Sequence, residues 1–541
     1  MKTFLLGVAA AEMIFDASAA LAGTGEEKAA KLEQEKVQKE EEKKLGSLYL
    51  RCDGKPNNMT DGESFARFVG AVTLLALFAP SPESPDPAKR LFAEKGVEAC
   101  TRLIDGEKAE GNGLRRLPLI LARGLHQIEA KNYQAALDDV AKARAEAAAL
   151  GLIGNPYFDR SMGLSFGRIE AEARLRMGDP AGAQAASLNQ VKDITYGFVP
   201  LLLTRTYAGF NRELRPEEER VDAATARILA PTVLGYAARL EEVGRFADAA
   251  VQHEAMIATV EGLKAKEKES SFYARAAIGH ALAGEWDRAK ERADFARSNM
   301  ADRRARGVPD DDSSRIVELL DLYEVLRLEH DGQAAQARRN FAARSQWVEP
   351  SLGQVMEADR RLREGASSGE LFGALAKAPE ELWQERRDAE LAVKLQADTD
   401  NKELFNLILP YAKIDDFEGR SNVTWRVAKS KMMAEKPDED SGMWRLFSAG
   451  NVQTAADSIV LHAALQAQAK GKEGFTLVML PPSSKTAYGP VTIAWVHFAD
   501  RSETGAEASR FLSADQVVAE LSQVIPSPET LKARKKQTKA A

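Results

Sequence analysis

Tyr133-Gln134-Ala135-Ala136, Phe246-Ala247-Asp248-Ala249 and Trp286-Asp287-Arg288-Ala289 are three copies of one short phrase: an aromatic, two residues, then an alanine. Each follows a polar turn, Ala130-Lys131-Asn132, Glu242-Val243-Gly244-Arg245 and Ala283-Gly284-Glu285. Each turn follows a stretch of helical spacing rich in small residues. Polar and glycine-containing turns between two helical patterns end one helix and begin the next. The stretch from Leu114 to Trp347 is therefore expected to be a tandem series of helical hairpins.

Five hairpins can be drawn. The first runs from Leu117 to Leu150, with Gly124 in its first helix and Ala136, Val140 and Ala143 down its second. The second, Met162 to Val191, has Ala171 and Ala183 in the equivalent places and turns at Gly178-Asp179-Pro180. Pro231 to Leu263 carries Ala237 and Ala249, Phe272 to Ala301 carries Ala277 and Ala289, and Ile316 to Trp347 keeps Ala337 and Phe341. Small residues at these positions let paired helices cross closely, where larger side chains would hold them apart.

With a small residue in the first helix, an aromatic at the turn and an alanine in the second, the pattern resembles the tetratricopeptide repeat family, in a degenerate form of exported bacterial type. The resemblance implies an α-solenoid over 111–410. The Ala-to-Ala intervals vary about the family period of roughly 34 residues, the early Trp and closing Pro are mostly absent, and Lys192 to Glu219 interrupts the register. The stretch from Ser351 to Pro410 reads as a continuation or cap of the array.

The flanks read differently. Residues 1–22 look like a signal peptide, with Lys2, the apolar run Phe4 to Ala11 and a small-x-small site at Ala20-Leu21-Ala22, so that cleavage falls after Ala22. Glu12 and Asp16 depart from that pattern. Residues 23–47 form a charged helix or flexible tether. Residues 48–110 form a small helical module in which Cys52 and Cys100, the only cysteines, flank a hairpin. In an exported chain they pair; in a cytoplasmic one they are two separate buried thiols. No stretch is long and apolar enough for a membrane span.

Beyond Pro410 the expected order is β-β-α-β-β-α, an α+β module over 411–526. The strands are read at Asn422 to Val427, Met443 to Ser448, Phe475 to Leu480 and Val491 to Phe498, with a helix from Asn451 to Ala469. Ser513 with Gln516 has the form of a capping box before a last helix ending near Val524. Residues 527–541 read as a disordered basic tail.

The 541 residues are 44% apolar and 29% charged, with a formal net charge of −7, which argues against a nucleic-acid partner. Two cysteines and six histidines offer no spacing for a metal site, and no nucleophile elbow or phosphate loop occurs. No cofactor, metal or catalytic residue is assigned. His462 and His497, with Ser484 or Asp500 nearby, would support acid–base chemistry if they faced one another. Binding is the more natural task of stacked hairpins. The expected groove residues are Leu121, Leu125 and Ile128 on the first hairpin and Leu234, Ala238 and Glu241 on the third. That surface is apolar and mildly acidic, unsuited to clamping a peptide carboxylate. The functional expectation is an exported scaffold or adaptor for a protein or peptide in the envelope or periplasm. The alternative is an enzyme with its active site in the C-terminal module and the repeats presenting substrate. Oligomeric state is left open.

Overall fold

The computed structural model describes residues 46–57, 84–107, 109–207, 209–264, 267–308, 313–397, 404–430, 442–449, 452–483 and 491–540. The leader, the charged stretch up to residue 45, the uncharged run from Phe68 to Pro80, Asn451 and Ser484 lie outside the described residues. The chain divides into two compact units, Met1–Ala109 and Glu110–Ala541.

In the first unit, helix α1 (Leu48–Asp53) packs against α2 (Ala93–Ile104). Ser47 caps α1, its hydroxyl accepting from the Leu50 N–H at 3.3 Å. Cys52 and Cys100 are fully buried and joined in a disulfide, with Cα atoms 4.9 Å apart and a separation of 48 positions in sequence. Closing a loop of that length removes unfolded-state entropy worth about 4 kcal/mol.

The second unit opens with α3 (Gly113–Glu129), α4 (Tyr133–Ala149), the short α5 (Pro156–Asp159), α6 (Met162–Arg176) and α7 (Pro180–Asn189). Then come α8 (Phe198–Arg205), α9 (Pro216–Ile228), α10 (Thr232–Glu242), α11 (Phe246–Gly262), α12 (Ser270–Leu282) and α13 (Trp286–Ala305). They are followed by α14 (Ser313–His330), α15 (Ala334–Ala342), α16 (Leu352–Arg363) and α17 (Pro379–Ala397). Helices α3 and α4, α6 and α7, α10 and α11, α12 and α13, and α14 and α15 pack pairwise.

All five turns close in one way. A residue with positive φ (Lys131, Gly178, Gly244, Gly284 or Gly332) follows the first helix. The next N–H reaches back five residues: Asn132 to Gln127 O, Asp179 to Arg174 O, Arg245 to Leu240 O, Glu285 to His280 O and Gln333 to Leu328 O, at 2.8–2.9 Å. This satisfies carbonyls that a helix end leaves open. Only at Lys131 does a side chain bear the left-handed strain, at φ 62°. The predicted small residues are where helices meet: Ala136, Ala183, Ala249, Ala289 and Ala337 are fully buried. At Gly167 a Cβ would come within 2.7 Å of the Ala186 carbonyl.

The C-terminal part holds α18 (Asp415–Ser430), β1 (Trp444–Ala449), α19 (Val452–Ala469), β2 (Gly474–Ser483), β3 (Val491–Ala499), β4 (Leu512–Ser513), α20 (Ala514–Leu521) and α21 (Pro528–Ala540). The strands form one antiparallel sheet in the order β1-β3-β2-β4. Three expectations are corrected. Asn422 to Val427 is helical, within α18: Ser421, Thr424, Val427 and Ala428 are buried at helical spacing, a period that six residues do not distinguish from alternation. The fourth strand is instead the two-residue β4, which pairs with β2 at the far edge from β1. Ser513 does not cap α20, and Gln516 instead accepts from the Tyr196 hydroxyl at 3.0 Å. The basic tail is helical, with Leu531 buried and Lys429 paired to Glu529 at 3.2 Å.

The sheet layer and the helices share one core. Leu446, Phe475, Leu477, Met479, Ala494 and Val496 of the sheet join α19 and α20, and the same cluster includes Tyr157, Leu188, Val191, Phe198, Leu201, Val221 and Ile228. The interruption from Lys192 to Glu219 thus supplies the seat of the sheet layer. Its polar fixings are buried. Arg160 donates to the Tyr196 carbonyl at 2.9 Å and to Glu520 at 2.6 Å. Glu520 also accepts the Thr195 and Tyr196 N–H groups. Asp457 accepts the Phe198 N–H at 3.0 Å, with Arg160 3.8 Å away.

Burial pushes the Asp457 carboxyl up to about 6, although Arg160 and the Phe198 N–H oppose the shift. The folded carboxyl thus holds its proton more tightly than the unfolded one. From this group, stability falls as pH rises from the ordinary carboxyl value of about 4 through 6. We predict that Asp457→Asn gains stability relative to the unmodified chain across that window. Urea unfolding at pH 4 and pH 8 reads it; an Asn variant whose relative stability is flat with pH refutes the assignment.

Candidate functional site

Helix α10 presents Gly235, Ala238, Arg239 and Glu242 at i, i+3, i+4 and i+7, which is one face. All four line a cavity of about 410 Å³ that also takes in Arg205, Asp222, Arg275, Glu349, Ser351 and Arg387. A second cavity, of about 800 Å³, lies along Glu241, Glu242 and Phe246 and is bounded by Gly353, Met356, Arg360, Pro379 and Glu380. Residues of α10 and of the segment leading through α17 enter both walls, so the two cavities belong to one groove with α17 across it.

Helix α17 starts with Pro379 at its first position and Glu380 and Glu381 in its first turn, which suit the helix N-terminus. Its half-buried residues are Leu382, Trp383, Arg387, Leu391, Lys394 and Leu395, a single stripe. Among its described residues only Pro379 is buried. Leu391 and Leu395 pack against Ala171 and Leu175 of α6, Ala183 and Ala186 of α7, and Tyr207. Lys394 lies over the Tyr207 ring at 4.4 Å and 3.7 Å from Glu172. Arg176 donates to the Leu395 carbonyl at 3.3 Å. At the other end Arg387 pairs with Glu242 of α10. The segment therefore crosses α10 and α6, the first helices of two hairpins.

The groove floor is built of buried ion pairs. Arg239 meets Glu218 at 3.2 Å and Glu242 at 2.6 Å. Arg205 pairs with Asp222 at 2.8 Å. Burial pushes the carboxyls of Glu218 and Asp222 above their ordinary range even with arginines beside them. Glu241 accepts from His253 at 2.9 Å, Ser351 at 2.5 Å and Gln354 at 2.8 Å. It thus anchors the N-terminus of α16, where a Cβ at Gly353 would come within 2.4 Å of backbone.

The expected groove residues are placed as follows. Leu121, Leu125 and Ile128 are buried and form core. Leu234 is half-buried against Val233, Ala237 and Leu240. Ala238 lines the smaller cavity, and Glu241 is committed to α16. The wall is not apolar and mildly acidic but a set of arginines matched by carboxylates. Sequence reasoning missed Arg239, Arg205 and Arg387. The signal was present: Gly235, Ala238, Arg239 and Glu242 form a helical stripe one residue round from the one drawn. His462 and His497 do not come together: His462 is buried on α19 and His497 is exposed on β3. Asp500 is engaged by Lys472 at 2.9 Å.

The chain matches no known protein family, no characterised protein and no solved structure.

Removing Arg239 leaves the buried carboxylate of Glu218 without its cation, while Glu242 keeps Arg387. We predict that Arg239→Ala costs about 3–5 kcal/mol, and that adding Glu218→Gln recovers most of it. Urea midpoints of the single and double variants measure this. Equal midpoints for Arg239→Ala and the unmodified chain refute it.

Proposed function

We propose that this chain is an exported helical-repeat protein of tetratricopeptide type that acts as a scaffold or adaptor in the bacterial envelope or periplasm. It grips a helical segment of a partner protein across α6 and α10. The observation that carries this reading is α17: a helix of the chain itself lies on that surface, held by Leu391, Leu395, Lys394 and Arg387. A groove that seats an amphipathic helix by a stripe of anchors is a recurring mode of peptide recognition. The partner helix has the same form, two leucines a turn apart and cations spaced to meet Glu172 and Glu242. The disulfide between Cys52 and Cys100 supports export, since such bonds persist in oxidising compartments.

A tethered helix competes at an effective concentration of roughly millimolar, so a free helix binds well only when α17 is released. A labelled peptide of residues 379–397 is therefore expected to bind the full chain carrying Leu391→Ser and Leu395→Ser at least about tenfold more tightly than the unmodified chain. Absence of binding to a variant with unchanged circular dichroism rejects the groove. The export half is tested separately: the mature protein should have an intact mass beginning at Gly23 and lower by the two hydrogens of the disulfide. A chain that keeps residue 1 in the envelope fraction rejects it.

A further inference from the structure

Between α18 and β1, against α19, lies a cavity of about 510 Å³ in which the groove residues take no part. Val423, Val427, Leu446, Phe447 and Ile459 make its wall apolar. Val423 and Phe447 remain 48% and 56% exposed. The strand beside it, β1, is an edge of the sheet.

Two polar groups in this wall lack the partners their chemistry calls for. Arg420 is half-buried, and its one bond among the described residues is to the Ser448 hydroxyl at 2.6 Å. Burial draws its pKa down, and no carboxylate among the described residues opposes that shift. By contrast, the half-buried Arg123, Arg205 and Arg292 and the buried Arg338 each meet a carboxylate. His462 is 8% exposed. Its Nδ1 lies 3.4 Å from the Thr424 carbonyl, which can only accept, so Nδ1 carries the hydrogen and Nε2 is an acceptor. That Nε2 is buried with no partner among the described residues. Burial also holds the ring neutral at neutral pH, since it lowers the histidine pKa. An orphaned acceptor and an uncompensated cation in one apolar wall cost stability unless a ligand answers both.

We propose that this cavity binds a small apolar monocarboxylic acid: its carboxylate pairs with Arg420 and its hydrocarbon body lies against Val427, Leu446 and Ile459. A hydroxyl near the carboxyl donates to His462 Nε2. Charge complementarity selects the head group, because the wall offers a guanidinium in need of an anion. The volume is that of a small-molecule site. Position selects the hydroxyl. Arg420 and Thr424 are one helical turn apart, about 6 Å along α18, and His462 is fixed to the Thr424 carbonyl. A donor close to the carboxyl reaches it, whereas one at the far end of a chain does not.

The probes are decanoate, 3-hydroxydecanoate and decan-1-ol, titrated below their aggregation limits into the full chain with ¹⁵N-labelled histidine. The His462 ring signals are identified by their loss in His462→Gln. The proposal expects saturable binding of decanoate and at least tenfold weaker binding of decanol. It expects about fivefold tighter binding of 3-hydroxydecanoate, with a shift of His462 Nε2. Arg420→Gln should bring decanoate to the level of decanol, and Val423→Trp at the rim should weaken all three. Decanol binding as tightly as decanoate, acid binding undiminished in Arg420→Gln, or acids that leave His462 unmoved each overturn it. None of these outcomes bears on the α17 groove, which the peptide experiment tests.

Discussion

The guanidinium of Arg510 is fully buried and holds four pieces of the chain. It donates to the Ala226 carbonyl of α9, the Thr259 hydroxyl of α11, the Leu477 carbonyl of β2 and Glu507. Burial draws its pKa down to about 10, so it stays charged at neutral pH. Its planar fork satisfies several acceptors at once, which a lysine ammonium on a flexible stem does not reproduce. With it in place the sheet layer is seated on the helices. Without it, the Ala226 and Leu477 carbonyls and the Thr259 hydroxyl would lose this donor, at a cost of about 1–3 kcal/mol for each left unsatisfied. Arg160 fixes a second side of the same joint through Tyr196, Glu520 and Asp457. The apolar cluster between them is continuous from the sheet layer into α8 and α9.

Helix α17 is held on another scale. Its anchors are half-buried, and each half-buried leucine contributes about 1 kcal/mol. Its outer ion pairs, Arg386 with Glu390 and Lys377 with Glu385, are exposed and add little. Arg387 with Glu242 and Lys394 with Glu172 are the better buried pairs. Against this stands the entropy of ordering the segment, about 1 kcal/mol per residue before its own hydrogen bonds are counted. The segment across the groove therefore lies at the low-stability end of a molecule whose joint lies at the high end. Binding surfaces are drawn from such regions because a partner must displace what covers them.

Much of the helical body was legible because its turns are local. A positive-φ residue and a return hydrogen bond need only six or seven consecutive residues, and those at Gly244 and Gly284 are plain in the sequence. The buried alanines followed from the turns by spacing. Of the α10 residues expected in the groove, Ala238 and Glu241 line its cavities and Leu234 packs toward the core, while Gly235, Arg239 and Glu242 complete the wall. Which stripe faces the groove depends on what packs behind it, and Val233, Ala237 and Leu240 do so here. Asn422 to Val427 differs for a related reason: Val423, Trp425 and Val427 alternate, but packing on α19 selects a helix whose buried face is Ser421, Thr424, Val427 and Ala428.

By itself the sequence determined the helical character, the turns, the small residues at the crossings and a cysteine pair able to close a loop. These are matters of propensity and local geometry, and they do not depend on distant partners. Only the tertiary structure decided that Lys192 to Glu219 seats the sheet, and that α17 lies across α6 and α10. It also decided that Arg420 and His462 share one apolar wall. Each of these joins residues far apart in sequence. Their energies arise from desolvation and charge pairing at the contact, and neither leaves a period or motif in the chain.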